Sequence, residues 1–384
     1  MSQRFFSLDV FRGATVALMI MVNNPGSWEH IYAPLDHAAW HGCTPTDLVF
    51  PFFLFAVGNA MAFVMPKLEA AGESFFWKKV IKRTLLIFLI GLFLNAFPFV
   101  KYNDDGNLIS KNYENLRIFG VLQRIALCYF FGSVIVHFFK VRGAFVVSAV
   151  LLLGYWFLCL AGNIHDPYSI EGWFGTNIDK AILGEKHLYR GEGMPFDPEG
   201  LMSTFAAIVQ VIFGFLVGNY ILQKSKTAEM LNGLFVAGCV LVLTGLMWGM
   251  FFPLNKKIWT SSYTIYTTGL ATLVLSVLIY LIEFKNIKGA WTRFFDVFGK
   301  NALFIFVLSG VLPRLMGLIR INNGMNDAGK PKFLNPFSWF YDHVCKLILP
   351  MEPKLGSFIY ALCFIGMMWF FAWLLDKKKI YIKV

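Results

Sequence analysis

Runs of apolar residues near 20 long recur along this chain, and polar stretches separate them. In hydrocarbon a backbone satisfies its hydrogen bonds only in helices or closed barrels, so runs of this length predict membrane-spanning helices. We place about ten spans, near residues 10–25, 46–65, 84–100, 118–138, 143–161, 201–222, 231–252, 263–283, 295–313 and 356–375. A further run at 334–350, bounded by prolines and broken by charges, predicts an interfacial or re-entrant helix. The expected fold is all-α, a polytopic membrane protein forming one domain over residues 1–384.

The loops between these spans differ in charge according to side. If the N-terminus is inside, the inner loops are short and carry an excess of Lys and Arg, whereas the outer loops are long and hold every histidine except His137. The positive-inside rule then predicts both termini in the cytoplasm. The net charge of +11 would also suit nucleic acid, but this asymmetry accounts for it. We therefore expect a lipid bilayer as partner and no nucleic acid.

Ionisable residues within spans are costly and indicate function or pairing. Arg124, in FGVLQRIALCYFFG, could pair with Asp9 or Asp47 to hold helices together, or could serve as a fixed cation for an anionic ligand. Lys300 and Asn301 follow a glycine where a span begins, which suits a phosphate at a helix N-terminus or a lysine that snorkels to the interface.

Several polar stretches have local explanations. Asn23 ends the first span just before a proline, where turn chemistry is expected. Asp197 and Glu199, in MPFDPEGLMSTF, lie where capping residues of a helix would lie. Lys256, in FPLNKKIWTSSY, could anchor to lipid headgroups or form a wall against an anionic ligand.

The stretch DHAAWHGCTPTDLVFPF, which leads into the second span, allows three chemistries. His37 and His41 are four residues apart, as in a zinc site, but no third ligand matches them. Trp40 and nearby aromatics could form a polar rim at the headgroups. His37 could instead act as a general base or nucleophile, with Asp36 or Asp47 orienting its imidazole.

A family resemblance distinguishes among these alternatives. The chain resembles heparan-α-glucosaminide N-acetyltransferase and its bacterial relatives in several stretches that occur in the same order. The stretches are SLDVFRGATVALMIMVNN, DHAAWHGCTPTDLVFPFFLFAVG, GVLQRIALCY, IDKAILGEKHLY, FDPEGLMSTFAAIVQVIFGFLVG, PLNKKIWTSSY and FGKNALFIFV. The resemblance implies that His37, in HAAWHG, is the active-site histidine, that Asn23 and Asp47 assist it, and that Asp9 and Arg124 match further motif positions.

The resemblance also implies an acetyl-CoA-dependent acyltransferase. Acetyl would pass from cytosolic acetyl-CoA to the amine of an extracytoplasmic glucosamine-type sugar, with His37 as base or nucleophile and no metal. Arg124, Lys300 and Asn301 would hold acetyl-CoA. Residues expected to contact the acceptor are Asp9, Trp40, Asp197, Glu199, Lys256 and Trp259.

Two departures from the lysosomal enzyme qualify the resemblance. His41 stands where that enzyme is expected to have Asn, which leaves the acceptor open, and the large lumenal region is missing, which suggests a multi-pass protein of a bacterial inner membrane. A homodimer is also suggested. The alternatives are a secondary transporter of a sugar or organic anion, and an O-acetyltransferase of an envelope glycan.

Overall fold

The computed structural model describes residues 5–103, 106–325, 331–348 and 351–382, and it is mostly helical. The long helices are α1 (Phe6–Asn23), α2 (Val49–Ala70), α3 (Glu73–Ala96), α4 (Val121–Gly162), α6 (Leu201–Lys224), α7 (Ala228–Gly249), α8 (Ser261–Ile279) and α13 (Pro353–Lys377). The shorter ones are α5 (Gly175–Leu183), α9 (Ala290–Lys300), α10 (Ala302–Met316), α11 (Pro336–Phe340) and α12 (Lys346–Ile348).

Two small antiparallel hairpins were not predicted from the sequence. One pairs β1 (Val100–Tyr102) with β2 (Leu108–Ser110), and the other pairs β3 (Ile321–Met325) with β4 (Pro331–Leu334). The first hairpin lies between α3 and α4, and the second lies between α10 and α11.

Seven helices of the described chain are long and apolar enough to cross a membrane, or eight if α9 and α10 together form one span. This confirms a multi-pass membrane protein, while the count of ten stays a prediction. The 42-residue α4 has non-helical backbone at Lys140. At 1.5 Å per residue it is about 63 Å long, twice the thickness of the hydrocarbon core, so it has the length of the two spans predicted there.

The span predicted at 295–313 is not continuous. Helices α9 and α10 meet at an 80° bend next to Asn301. The Asn301 side chain bonds the C-terminal segment there, donating to the Ile380 carbonyl at 3.0 Å and accepting from the Ile382 amide at 2.8 Å. These bonds give the chain polar partners where the helical ladder breaks.

The helix predicted at 334–350 is a composite. Helix α11 continues through a π-helical turn, Tyr341–Cys345, into α12. Residues 349–350 of the predicted range lie outside the described residues.

Close backbone contacts fix the position of the central helices. A Cβ added to Gly58 would lie 1.8 Å from the Val211 carbonyl oxygen, and one on Gly214 would lie 2.1 Å from that of Phe55. Helices α2 and α6 therefore touch along their backbones, as small residues allow. Contacts described below join the first turns of α2, α4, α6 and α8, so these four helices begin at the same end of the bundle.

Candidate active site

Asp47 is a buried and firmly held carboxylate just before α2. It lies in a single 3₁₀ turn, Pro45–Leu48, and is 1% exposed. Its Oδ2 accepts hydrogen bonds from the Ala38 amide at 3.0 Å and from the amide and hydroxyl of Thr44, both at 3.1 Å. The Tyr263 hydroxyl, on α8, donates to the Asp47 carbonyl at 2.6 Å. One carboxylate oxygen thus stays available with its direction fixed.

That oxygen, Oδ1 of Asp47, lies 2.7 Å from Nδ1 of His37. An ionised carboxylate only accepts, so Nδ1 donates and the Nε2 of the neutral ring carries the lone pair. Asp36 has a different contact, because its Oδ1 accepts from the backbone amide of His37 at 2.8 Å. Of the two acids considered from the sequence, Asp47 orients the imidazole and Asp36 holds the main chain.

Lys256 approaches the same pair from the loop between α7 and α8. Its Nζ lies 3.0 Å from His37 Nδ1 and 3.4 Å from Asp47 Oδ1. The loop is folded by its own side chains, since Asn255 Oδ1 accepts from the Ile258 amide at 3.0 Å. Burial lowers the pKa of Lys256, and the charge of Asp47 opposes that change. Lys256 therefore lies against the histidine–aspartate pair, with its Nζ also 3.5 Å from His37 Nε2.

Arg117 forms the opposite wall and was missed by the sequence reasoning. Its Nε and NH2 donate to the two oxygens of Asp197 at 3.0 and 2.6 Å, and NH2 also donates to Glu199 at 2.5 Å. Burial lowers the pKa of this guanidinium, but the two carboxylates outweigh burial and raise it overall. The available signal was the pair of acids in FDPEG, which required a cation from elsewhere in the chain.

These groups surround a cavity of about 230 Å³, here called the His37 cavity. Its lining residues are His37, Ala38, Trp40, Asp47, Arg117, Val121, Tyr189, Glu192, Pro198, Glu199, Lys256, Lys257 and Trp259. Of the residues predicted from the sequence, this cavity brings together His37, Trp40, Asp47, Glu199, Lys256 and Trp259. The indole of Trp40 donates to the Tyr168 carbonyl at 2.7 Å, which fixes the ring as one wall.

A second cavity of about 360 Å³, here called the Arg314 cavity, shares Arg117 and Val121 with the first. Its lining residues are Asn23, Asn24, Gly91, Leu94, Asn95, Arg117, Gly120, Val121, Leu122, Gln123, Phe306, Ser309, Gly310, Pro313 and Arg314. Asn23 is thus placed in the neighbouring cavity, on the far side of the shared wall from His37. None of the described residues that line this cavity is acidic.

Arg124 and Asp197 are buried beside the His37 cavity and do not line it. The Arg124 NH2 donates to the Gly200 carbonyl at 3.2 Å and to the Ser203 hydroxyl, and its guanidinium lies 5.1 Å from the Trp259 ring centre. Arg124 therefore joins α4 to α6 and Trp259, and no described ion pair links it to Asp9 or Asp47.

The remaining predicted residues lie elsewhere. Asp9 pairs with Arg12 at 2.9 Å, about 21 Å along α1 from Asn23. Lys300 pairs with Asp296 at 2.7 Å and Asp376 at 3.0 Å. Asn301 is bonded to the C-terminal segment as described above, and neither residue lines the His37 cavity. Their predicted roles toward substrates stay predictions.

His41, which was weighed with His37 as a zinc pair, has another partner. The Nδ1 of His41 faces the Asn255 side-chain amide at 3.4 Å. Within the described ranges, no group of three or more His, Cys, Asp or Glu side chains is arranged to hold a metal ion.

Comparison with known proteins identifies the family that this site resembles. Residues 4–177 match the family model described as heparan-α-glucosaminide N-acetyltransferase, catalytic. The human heparan-α-glucosaminide N-acetyltransferase is 27% identical over 360 residues, covering 79% of this chain and 52% of the human protein. The mouse protein is 26% identical over 366 residues, covering 81% of this chain and 54% of its own length.

These findings confirm the resemblance to the heparan-α-glucosaminide N-acetyltransferase family. The chain spans about half the length of the curated relatives it matches. The matched segment 4–177 contains Asn23, His37, Asp47, Arg117 and Arg124.

Proposed function

We propose that this relative of the heparan-α-glucosaminide N-acetyltransferases is a membrane N-acetyltransferase. It moves acetyl from cytosolic acetyl-CoA to the amine of an extracytoplasmic glucosamine-type sugar. The observation that carries the proposal is the 2.7 Å contact between His37 and the buried Asp47, at the wall of a cavity that also holds Glu199 and Lys256. A carboxylate that fixes the histidine tautomer is the arrangement that acyl transfer uses to activate a nucleophile.

The reaction follows from the orientation of the ring. With Nδ1 donating to Asp47, the Nε2 lone pair of His37 takes a proton from the acceptor amine. The amine nitrogen then attacks the thioester carbonyl carbon, the new C–N bond forms, and the C–S bond breaks to release CoA, which takes up a proton as its thiol. In a two-step route Nε2 first attacks the thioester carbonyl carbon, and the C–S bond breaks to release CoA. The amine then attacks the acetyl carbon, and the bond from that carbon to Nε2 breaks. Both routes use the same nitrogen.

The acceptor would lie in the His37 cavity. The carboxylates of Glu192 and Glu199 line it, paired with Lys257 and Arg117, and an ammonium group would share these acceptors with them. The rings of Trp40 and Tyr189 give a sugar apolar walls. Protonated amines are unreactive, so a carboxylate that collects the ammonium near His37 places the proton where the base removes it.

The donor thioester would lie toward the shared wall. Asn23 lines the Arg314 cavity, and its side chain is exposed. An amide donor aimed at the thioester oxygen would stabilise the developing oxyanion, a contribution of about 3 kcal/mol in known acyl-transfer sites. Donor binding would also depend indirectly on Arg124, Lys300 and Asn301, because their side chains hold helices of the bundle in position.

The proposed setting is a bacterial inner membrane, with ten spans and both termini in the cytoplasm. The excess of Lys and Arg in the predicted inner loops supports this orientation. The break in α4 at Lys140 supports counting that helix as two spans. On this topology the first turns of α2, α6 and α8, and hence the His37 cavity, face outward.

The deciding experiment is release of free CoA thiol by the purified full chain in detergent. We expect acetyl-CoA and glucosamine together to give thiol and N-acetylglucosamine in equal amounts. Unmodified sugar with no thiol, together with uptake into vesicles, would instead identify a transporter, and an acetyl ester would identify O-acetyl transfer. Incubation with radiolabelled acetyl-CoA alone separates the two routes, because only the two-step route labels the protein.

A further inference from the structure

The Arg314 cavity contains a buried donor that has no acceptor in the protein. Gln123, on the first turn of α4, is 1% exposed, and its Nε2 has no hydrogen-bond partner among the described residues. A Cβ added to Gly91 would lie 2.5 Å from Gln123 Oε1, so this glycine makes room for the amide. Leaving a buried amide donor without an acceptor costs about 1–3 kcal/mol, which an acceptor from a ligand or an ordered water would recover.

A second donor is Arg314, at the end of α10. Its NH1 donates to the Gly310 carbonyl at 2.8 Å, and in the described part of the chain it takes part in no ion pair. Lys111 is close enough to Arg314 for their positive charges to interact. Burial lowers the pKa of Lys111, and the charges of Arg314 and Lys101 lower it further. Positive charge therefore accumulates beside this cavity without a described carboxylate to balance it.

The shared wall adds to the excess of donors. Arg117 uses Nε and NH2 for Asp197 and Glu199, and its NH1 makes no hydrogen bond to the described residues. The group that complements such a lining is one with several acceptor oxygens and negative charge.

We propose that the Arg314 cavity binds an oxyanion group, a carboxylate, sulfate or phosphate, that belongs to a substrate reacting at His37. Gln123 and Arg314 are its principal ligands. The inference rests on the proposed function for the identity of the reaction, and the shared residues Arg117 and Val121 make the two cavities neighbours. The proposed topology places this cavity at the outer end of the bundle, so we assign the anion to an acid group next to the amino sugar of the acceptor. The phosphates of acetyl-CoA are the other source that the test separates.

The test uses Arg314→Gln and Gln123→Leu in the full chain. Arg190→Gln is the matched control, because Arg190 is exposed and lines neither cavity. KM is measured for acetyl-CoA and for S-acetylpantetheine, which lacks the phosphates, and for glucosamine and a uronate-bearing glucosaminyl disaccharide. We expect Arg314→Gln to raise KM for one charged substrate at least about tenfold, with kcat within about twofold, since a charge-assisted hydrogen bond is lost.

Each outcome has a defined meaning. A higher KM for acetyl-CoA with an unchanged KM for S-acetylpantetheine assigns the cavity to donor phosphates. A higher KM for the disaccharide with an unchanged KM for glucosamine assigns it to an acid of the acceptor. If Arg314→Gln and Gln123→Leu match Arg190→Gln for every substrate, the proposal is wrong.

A binding measurement keeps this inference separate from the reaction. Wild-type protein is titrated calorimetrically with inorganic pyrophosphate and with glucuronate, and we expect saturable binding of one of them that Arg314→Gln weakens. That result would stand even if wild type released no thiol, in which case the proposed function alone would fail. Absence of binding by both probes would overturn the anion site.

Discussion

The two neighbouring cavities share a wall but have opposite chemistry. In the His37 cavity, the carboxylates of Asp47, Glu192 and Glu199 face cationic side chains and an imidazole. The Arg314 cavity has Arg117, Arg314 and amide side chains, and no acidic residue among its described lining. We propose that the first holds an ammonium group and removes a proton from it, whereas the second offers cationic and amide side chains and no described carboxylate. On the two proposals above, the difference would separate the reacting amine from the anionic part of a substrate.

The difference has a structural origin. The His37 cavity is built from the loops that precede α2, α6 and α8, and in those loops carboxylates also serve the local backbone: Asp47 accepts from Thr44, and Asp197 accepts from the Glu199 amide at 3.0 Å. The Arg314 cavity is built mainly from helix surfaces of α1, α3, α4 and α10, where backbone groups bond along the helix and no loop amides require a carboxylate.

The strongest test of this comparison is to remove the base. His37→Ala should lower kcat at least about 10³-fold, because general-base catalysis by a positioned side chain contributes about 10²–10⁴. Thiol release in the presence of glucosamine measures the effect.

His41→Ala is the matched control for that experiment. His41 lies four residues away, faces Asn255 and does not line the His37 cavity, so it should keep kcat within about threefold. A His37→Ala protein that keeps most of its activity would remove the distinction between the two cavities.

Removing the orienting acid should have a smaller effect. Asp47→Asn should lower kcat about 100-fold, since an amide in this position lets the ring adopt the wrong tautomer, while KM for the acceptor changes little. Asp36→Asn is the control, because the Asp36 side chain bonds the backbone amide of His37 and not its ring. The kcat of this variant should stay close to that of wild type. A parallel rise in KM with little loss of kcat would show that Asp47 only shapes the loop.

Much of the His37 cavity could be predicted from the sequence, because its residues lie in motifs. His37 and Asp47 stand in one short stretch, so proximity along the chain already placed an acid near the base. Lys256 and Trp259 lie in one loop between two predicted spans. The long helices could also be predicted, because apolar runs indicate their positions. The bend at Asn301 could not be predicted, because it depends on hydrogen bonds to Ile380 and Ile382.

The Arg314 cavity could not be predicted in this way. Its residues come from helices far apart in sequence, and Arg117 is a single arginine whose acids lie 80 and 82 positions later. The ion pair of Lys300 with Asp376 was equally hidden, since the two residues are distant in sequence. Spacing along the chain shows which residues share a helix face, and it does not show which charges are already paired across the bundle.

A third test concerns the connection between the cavities. Val121 lines both, so Val121→Phe should narrow the junction and raise KM for the donor and the acceptor about tenfold. Val121→Ala, which widens the junction, should keep the KM values for donor and acceptor within about threefold of those of wild type. If Val121→Phe affects the KM of one substrate only, the other substrate does not reach the shared wall.

The smallest expected effect concerns the support of the acidic wall. Asp179, on α5, accepts from the Leu201 amide at 2.9 Å where α6 begins. Burial raises the pKa of Asp179 to about 7, and the charge of Asp197 adds to this. The folded protein therefore holds a proton that an unfolded aspartate releases near its ordinary pKa of about 3.9, so stability falls as pH rises from there to about 7 and is level above it.

Asp179→Asn should remove that component of the pH dependence. Between pH 6 and 8 the wild type should lose about 1 kcal/mol more than the variant, as one pKa unit corresponds to about 1.4 kcal/mol. Unfolding followed by tryptophan fluorescence at several pH values measures the difference, with the exposed Glu171→Gln as control. Equal slopes for wild type and Asp179→Asn would mean that Asp179 is ionised in the fold. The acids behind the His37 cavity would then carry more negative charge, and its contrast with the Arg314 cavity would be larger.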